Sequence, residues 1–585
     1  MESSNPGRPV DEPPRTESET SDKDGISTPP SLRSDEKEQA IIPEFRPELG
    51  FYLIFISLMV ITLAAALDAT SLSVALPIIS QKLNGTAIEA FWSGTSFLLT
   101  STVFQPVYAS FSHIFGRKPI VGLYSKLEAL LFAIALFVVG AIIAAVADNF
   151  TVLLIGRSLQ GVGGGGILSL SEILVTDLVP LRLRGQWFGF LSMMWAVGSV
   201  TGPIIGGAFA QNVSWRWIFW INLPFAGVGF VMILLFLRLN FKATRFTEKL
   251  ARVDWIGSFL FIASSTSFII PITWGGVQYP WNSWRTIVPL VLGIIGLLGF
   301  VVYERFGAAE PVVRLSVFNT VTSRVTYFQI LIHGMILWCI LYYLPLYYEA
   351  VKDYSPIITG ISIFPETFTV APASVVVGIL VTITGRYRWA VWGGWLLATF
   401  GSGLLILLNV HTSITQWIFL NLIAGLGTGL LFPALVFAIQ ASNTSEDTAF
   451  AVALASFFRT FGQSLGVAIG GVIFQNRIRA KLLTYPLLAP FADEYSQDAS
   501  GLVQIIKTMS NDLPQKAQLI QAYADSLKTV WLTICVLSAV ALITSIWTEG
   551  YDMNVEHKTE QGFNHKEKTG TLESGVKQSK EMSAS

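Results

Sequence analysis

Long apolar stretches separated by short polar segments recur through the middle of the chain, from about residue 50 to residue 548. Each stretch is long enough, at about 20 residues, to cross the roughly 30 Å hydrocarbon core of a bilayer. Backbone polar groups in lipid must be satisfied within their own segment, so each stretch is predicted to be a membrane-spanning helix. The predicted spans are residues 50–79, 90–111, 119–146, 151–175, 186–210, 216–238, 254–274, 286–304, 326–348, 357–384, 389–409, 415–440, 448–474 and 528–548.

The spacing of these fourteen spans predicts an all-α membrane protein with polar tails. The tails are rich in Ser, Pro, Asp and Glu and cannot bury enough apolar area to offset the cost of ordering. The predicted organisation is a disordered cytosolic N-terminal tail (1–48), an N-terminal six-helix bundle (49–238), a cytosolic loop (239–252), two extra transmembrane helices (253–304), a second cytosolic loop (305–325), a C-terminal six-helix bundle (326–548) with an extracellular loop (476–527), and a disordered cytosolic C-terminal tail (549–585).

Composition supports a protein that sits in a lipid bilayer. Hydrophobic types make up 52% of the 585 residues and charged types 13%, against about 25% charged residues in a soluble domain. The net charge of −1 gives no electrostatic basis for binding nucleic acid. Cys339 and Cys535 both lie inside apolar stretches, which excludes a disulfide scaffold or a thiolate zinc site.

Basic residues predict the orientation of the chain in the membrane. Lys and Arg are more numerous in the short loops that a cytosolic N-terminus would place inside, as the positive-inside rule requires. An even number of spans then puts the C-terminus in the cytosol as well. The glycosylation sequons at Asn84 and Asn212 fall outside the membrane in this topology. The loop 476–527 also falls outside, and we interpret its amphipathic part as interfacial helix that covers the bundle, with a role as a lid as the alternative.

Five motifs between residues 60 and 225 occur in a consistent order. They are Leu67-Asp68-Ala69-Thr70 through Pro77, Phe115-Gly116-Arg117-Lys118, Gly156-Arg157 through Gln160-Gly161, Gly198 through Gly202-Pro203-Ile204-Ile205-Gly206-Gly207, and Trp215-Arg216-Trp217 through Pro224. This series resembles the major facilitator superfamily, and in particular its fungal branch of fourteen-span drug:proton antiporters. The resemblance implies two six-helix bundles with two additional central helices, which rock around a central cavity and are driven by a proton gradient with no cofactor.

The run around Pro203 places Gly198, Gly202 and Gly206 four residues apart, followed by Gly207. Such a stripe of small residues lets another helix approach closely, and the proline bends the span. In the resembled family this segment serves as a pivot and an ion-tight seam between the two halves. Ordinary helix packing is the alternative.

The loop that follows the second span is the second conformational candidate. Gly116, Arg117 and Lys118 match the family's latch between the halves, or else they are basic residues that set topology. The expected acidic and basic residues before them are replaced here by His113 and Ile114. A titrating His113 is one possible substitute for the missing carboxylate.

The segment Gly161-Val162-Gly163-Gly164-Gly165-Gly166 formally contains a dinucleotide-binding fingerprint. That fingerprint works only between a strand and a helix, and here it lies inside an apolar span. We therefore interpret these glycines as sites of close helix packing.

Ionisable residues inside spans are costly and usually face a cavity or a partner. Asp68 and Arg157 lie on the first and fourth spans at depths that differ by roughly 8 Å, which a long arginine side chain can bridge. We predict that the two side chains interact and that protonation of Asp68 releases the pair. A permanent structural ion pair, or an aspartate bonded to neighbouring Ser and Thr, is the alternative.

The second half of the chain supplies the predicted substrate site. Glu366 lies between Pro365 and Pro372, which predicts a broken helix of the kind that forms transporter binding sites. It is interpreted as a ligand for a cationic substrate, or as a cap for backbone freed by the prolines. Intramembrane aromatic residues suit planar or amphipathic molecules. The predicted substrate-binding residues are Glu366, Arg459, Trp195, Trp338 and Phe364. Glu172 is expected to pair with Lys126, or else the two side chains reach toward the inner membrane interface.

These observations predict export of small organic toxic compounds, drugs or secondary metabolites by a monomeric antiporter, in the plasma membrane rather than the vacuolar membrane. A transporter of basic amino acids or of an iron chelate remains the alternative. An intramembrane enzyme would need a convergent nucleophile, base or metal cluster, and no span shows one. ATP drive is disfavoured because the sequence has no phosphate-cradling Gly-Lys-Ser/Thr loop.

Overall fold

The computed structural model describes residues 47, 49–83, 87–117, 125–236, 252–276, 278–496, 499–551 and 553, and this part of the chain is helical with no β-sheet. Its longer helices are α1 (Leu49–Lys82), α2 (Ala87–Arg117), α3 (Ser125–Ala145), α4 (Phe150–Leu178), α5 (Arg184–Asn212), α6 (Asn222–Phe236), α7 (Trp255–Trp274), α8 (Trp284–Phe306), α9 (Val321–Val351), α10 (Pro356–Ser362), α11 (Phe364–Thr384), α12 (Arg388–Leu405), α13 (Ile414–Ala441), α14 (Thr448–Leu482), α15 (Ala499–Thr508) and α16 (Pro514–Thr544). Short helical turns cover Leu181–Leu183, Trp217–Trp220, Leu315–Phe318, Ala489–Phe491, Ala492–Tyr495 and Ser545–Trp547.

Ten helices within the described residues are long and apolar enough to cross a membrane, which confirms the all-helical membrane architecture. They are α1, α5, Trp217–Phe236, α7, α8, α9, α11, α13, α14 and Pro514–Trp547. The predicted count of fourteen spans is not confirmed. Within the described residues, the helices over four predicted spans (α2, α3, α4 and α12) do not meet this criterion. Gly, Ser, Thr and other polar residues dilute the hydrophobic ones in α2, α4 and α12, whereas the side chains of α3 are described only over Ala129–Ala145, which is shorter than a full span.

The helices pack into two bundles. In the first, α1 packs against α5 and α6, and α4 packs against α2 and α3. In the second, α9 packs against α14 and α16, and α13 packs against α11 and α12. The bundles meet where α5 lies against α11 and where α2 lies against α14. The two extra helices pair with each other, and α7 also contacts α2 and α14 at the second of these seams.

The glycine run of α4 brings that helix close to both of its neighbours. A β-carbon on Gly163 would overlap the backbone of α3 at Ala133 and Phe137, and one on Gly165 would overlap the backbone of α2 at Ser101. The run lies inside a continuous helix, where a dinucleotide fingerprint has no role. The interpretation as close helix packing is confirmed.

Several predicted boundaries need correction. The span predicted at 357–384 is interrupted at Ile363, between α10 and α11, so the expectation of a broken helix holds. The predicted loop 476–527 is shorter than expected, because α14 continues to Leu482 and α16 already begins at Pro514. The amphipathic pattern of this region reflects α15 and the first turns of α16, whose apolar sides are buried at Leu502, Ile506 and Leu519.

Candidate functional site

A buried polar cluster surrounds Asp68 in the first bundle. Oδ2 of Asp68 accepts a hydrogen bond from Nη1 of Arg157 at 2.5 Å. Its Oδ1 accepts from Nε2 of Gln160 at 2.8 Å and from Nδ2 of Asn222 at 2.7 Å. These four side chains come from α1, α4 and α6 and are at most 1% exposed. The predicted contact between Asp68 and Arg157 is therefore present, and the carboxylate has three donors.

Further contacts fix the arginine in place. Nε of Arg157 donates to the backbone oxygen of Ser93 at 3.0 Å, and Nη1 also donates to Oε1 of Gln160 at 3.0 Å. The guanidinium carbon lies 4.6 Å from the centre of the Phe97 ring. The sequence prediction missed Gln160 and Asn222. Gln160 was detectable, because it lies three residues after Arg157 and so shares its helix face.

A cavity lies between the two bundles, and side chains from both line it. Its wall from the first bundle is Thr62, Gln105, Leu168, Ser171, Glu172, Phe188, Leu191, Ser192 and Trp195, and its wall from the second is Phe432, Pro433, Val436, Ser456, Arg459, Thr460 and Gln463. Trp195 and Arg459, both predicted to bind substrate, lie on opposite sides of it. The walls combine seven apolar or aromatic side chains with nine polar or charged ones. Sites for small organic molecules likewise combine apolar surface with convergent polar groups.

The two charges of this cavity face each other across the bundles. Nη1 of Arg459 lies 3.5 Å from Oε1 of Glu172, and Ser456 donates a hydrogen bond to Oε2 of the same carboxylate. Glu172 therefore pairs with Arg459 and not with Lys126 as expected, because its side chain faces the cavity and the second bundle. The side chain of Lys126 lies outside the described residues.

The other predicted substrate residues do not all reach the cavity. The ring of Trp338 packs on that of Trp195, with centroids 6.2 Å apart, but Trp338 does not itself line the cavity. Phe364 and Glu366 stand at the start of α11 and do not line the cavity. Glu366 is 1% exposed, and neither of its carboxylate oxygens has a hydrogen-bond partner within the described residues. It therefore does not cap the freed backbone of this part of the chain.

The glycine stripe of α5 faces α1 in the same bundle. A β-carbon on Gly198, Gly202 or Gly206 would overlap the atoms of α1, and these contacts are with Ala66, Thr70 and Ser71 respectively. The stripe itself therefore packs against a helix of the same bundle, as the alternative of helix packing expects. The role of this segment as a pivot stays a prediction. A small-residue stripe shows that some helix comes close, but not which one.

The remaining predicted conformational and glycosylation residues are partly buried in α5, partly exposed and partly outside the described residues. Pro203 and Gly207 are buried inside α5, which continues through the proline. Asn212 is exposed at the end of the same helix. Gly116 and Arg117 are the last two residues of α2, but their side-chain environment lies outside the described part of the chain. Lys118 and Asn84 lie entirely outside it.

Two polar contacts join the bundles near the starts of α5 and α14. Nη1 of Arg184 donates to Oε1 of Gln440 at 3.0 Å. Arg314, in the connection before α9, lies 3.1 Å from Nε2 of His113 and 3.1 Å from Oδ1 of Asp447. His113 thus contacts an arginine that is itself tied to the second bundle.

The sequence profile of the Major Facilitator Superfamily matches residues 58–467. "MFS transporter L2" of a Phoma species is 54% identical over 96% of this chain and 92% of its own length. "MFS-type efflux pump LUC4" of a Fusarium species is 38% identical over 88% of this chain and 91% of its own length. The solved structure of an MFS proton:xylose symporter, XylE, is 13% identical with a TM-score of 0.51, covers 86% of this chain and 97% of that one, and shows the fold alone. These relatives are transporters and not enzymes. The chain is therefore a multi-pass membrane transporter that belongs to the Major Facilitator Superfamily.

Proposed function

We propose that this transporter is a proton-coupled antiporter that exports small organic toxic compounds, such as drugs or secondary metabolites. The observation that carries the proposal is the pairing of two features in one chain. One is a cavity between the bundles that is lined by apolar, aromatic and polar side chains, and the other is a buried carboxylate with a guanidinium partner beside it. Relatives that are named efflux pumps support the direction of transport.

The cavity offers a place for the substrate. Phe188, Leu191, Trp195 and Phe432 supply apolar and aromatic surface on both sides. Because the walls come from both bundles, a rocking motion of one bundle against the other would open the cavity to one side of the membrane at a time. We propose that fourteen spans carry this motion, with both termini in the cytosol of a cell whose plasma membrane holds the protein.

The cluster around Asp68 offers a place for the proton. Ionised Asp68 accepts charge-assisted hydrogen bonds, which are about twice as strong as neutral ones. A proton on Asp68 would remove the charge that holds Arg157 and would turn one acceptor oxygen into a donor. The cluster would then rearrange around Gln160 and Asn222.

Helix α1 links the two places. Asp68 lies six residues after Thr62, which lines the cavity, so the two positions are separated by about 9 Å along the helix axis. A change in the Asp68 cluster that moves α1 would therefore also move one wall of the cavity. In this scheme protons enter from the outside as the substrate leaves.

Transport by the purified protein in sealed lipid vesicles tests the proposal. With an imposed pH gradient, the vesicles should accumulate members of a panel of fluorescent organic compounds, and a protonophore should abolish the accumulation. Empty vesicles provide the control for passive partitioning. Accumulation of radiolabelled lysine or arginine, with none for the organic panel, would refute the proposal and favour the transport of basic amino acids.

A further inference from the structure

The two charged side chains of the cavity differ in how well their hydrogen-bonding groups are satisfied. We propose that the cavity selects organic anions, meaning molecules with an apolar or aromatic body and a carboxylate, and that Arg459 is the residue that determines this specificity. The inference rests on the proposed function, because it takes the cavity to be the transport site.

Arg459 enters the cavity with unused donors. Its guanidinium has five N–H groups, yet its contacts within the described residues are long or missing. Nη1 lies 3.5 Å from Glu172, Nη2 lies 3.5 Å from the backbone oxygen of Phe432, and Nε has no partner in this part of the chain. Both distances exceed the usual range for N–H···O bonds. Because the residue is only 6% exposed, bulk water does not readily replace these bonds.

Glu172 is better satisfied than its partner. One of its oxygens accepts from Ser456, and the other faces Arg459. A cationic ligand would therefore meet a carboxylate that already has one oxygen bonded to Ser456, beside a guanidinium that repels it. An anionic ligand would meet free donors instead. The difference in hydrogen bonding favours an anion over a cation at this point of the cavity.

The geometry of the side chain suits a carboxylate. An arginine presents its donors as a planar fork that matches two carboxylate oxygens. The Arg459 guanidinium lies over an aromatic ring of the wall, with its central carbon 4.1 Å from the centre of the Phe432 ring. An aromatic acid could place its carboxylate on the fork while its body lies along Trp195 and Leu191, which line the same cavity.

Glu172 then acts as an internal substitute for the ligand. In the ligand-free cavity it offsets the charge of Arg459 from across the bundle interface. A bound carboxylate would take over that role and release Glu172. The scheme makes an unusual prediction, because removal of a charged residue that lines the site should strengthen binding of the anion.

Three pyrene probes with the same body test the inference: 1-pyrenebutyrate, 1-pyrenebutanol and protonated 1-pyrenebutylamine. Binding to the purified full-length protein in detergent is measured by equilibrium dialysis with pyrene fluorescence. The wild type should bind the acid at least about tenfold more tightly than the alcohol, as expected for one buried charge-assisted interaction. The amine should bind no better than the alcohol.

The variants separate charge from shape. Arg459→Gln should abolish the preference for the acid over the alcohol, whereas Arg459→Lys should keep part of the preference. Glu172→Gln should bind the acid more tightly than the wild type does. Arg285→Gln is the matched control, because it removes a guanidinium at the exposed start of α8, and it should keep the full preference.

Equal binding of acid and alcohol by the wild type, or an acid preference that survives in Arg459→Gln, would overturn the inference. If Arg459→Gln does not fold, unchanged or weaker acid binding by Glu172→Gln would overturn it instead. An acid preference without proton-driven transport would contradict the proposed function and support this inference. Proton-driven transport of the amine, without an acid preference in binding, would support the proposed function and contradict this inference.

Discussion

The charge of Asp68 can be removed with almost no change of shape by the substitution Asp68→Asn. Arg157, which is 1% exposed, would lose the carboxylate that lies 2.5 Å from it. The acceptors that remain are the backbone oxygen of Ser93 and the side-chain oxygen of Gln160, and both are neutral. Breaking a buried ion pair by removal of one partner costs about 3–5 kcal/mol, because it leaves an uncompensated charge. We expect a loss of folding stability of this order.

The double variant Asp68→Asn/Arg157→Gln shows whether the cost comes from the orphaned charge. It removes both charges and leaves a cluster of neutral amides, so it should be more stable than the sum of the single losses predicts. Coupling between contacting residues is about 0.5–3 kcal/mol, and the direct ion pair should lie at the upper end. Thermal unfolding of the purified protein in detergent, followed by tryptophan fluorescence, ranks the variants.

Asp493→Asn is a matched control for the same chemical change at the surface. Asp493 pairs with Arg479 at 2.5 Å, but the two side chains are 77% and 53% exposed. Solvent screens such a pair, so its loss should barely shift the unfolding transition. The reasoning would be refuted if Asp68→Asn were as mild as this control, or if the double variant lost as much stability as the two single variants combined.

Two further substitutions test other parts of the structure. Gly206→Ala should lower folding stability by about 1–3 kcal/mol, because the added methyl group overlaps the backbone of α1. The control variant Gly227→Ala should be nearly neutral, because the space beside Gly227 is open. Equal unfolding temperatures of the two variants would contradict this prediction. Glu366→Met should stabilise the fold by about 1–3 kcal/mol, because it removes buried oxygens that have no hydrogen-bond partner in the described residues. An unfolding temperature of Glu366→Met below that of the wild type would show that the carboxyl group has a partner.

The contact between Asp68 and Arg157 could be predicted because an isolated charge in a span is costly and depth along a helix is easily counted. Two opposite charges on helices of one bundle, at depths that an arginine side chain can bridge, leave few other arrangements. The same reasoning failed for Glu172. Its partner Arg459 lies on α14, in the other bundle, and helix spacing gives no information on which faces meet across an interface.

The helix boundaries and the α5 stripe show a second limit of sequence patterns. Residues 514–527 are too polar to be recognised as part of a span, yet they continue α16 as one helix because their apolar side is buried at Leu519, Tyr523 and Leu527. The glycines of α5 correctly predicted a close helix but not its identity, which is α1 of the same bundle. Periodicity identifies a buried face, whereas the partner of that face depends on the tertiary fold.

The most direct test of the central claim is the proton movement that accompanies transport in vesicles that contain a pH-sensitive dye. When an outward gradient of a transported compound is applied to wild-type vesicles, the internal pH should change as protons are exchanged for it. Vesicles with Asp68→Asn should still exchange labelled for unlabelled compound, but their internal pH should stay constant. An equal pH change in wild type and Asp68→Asn would contradict the account.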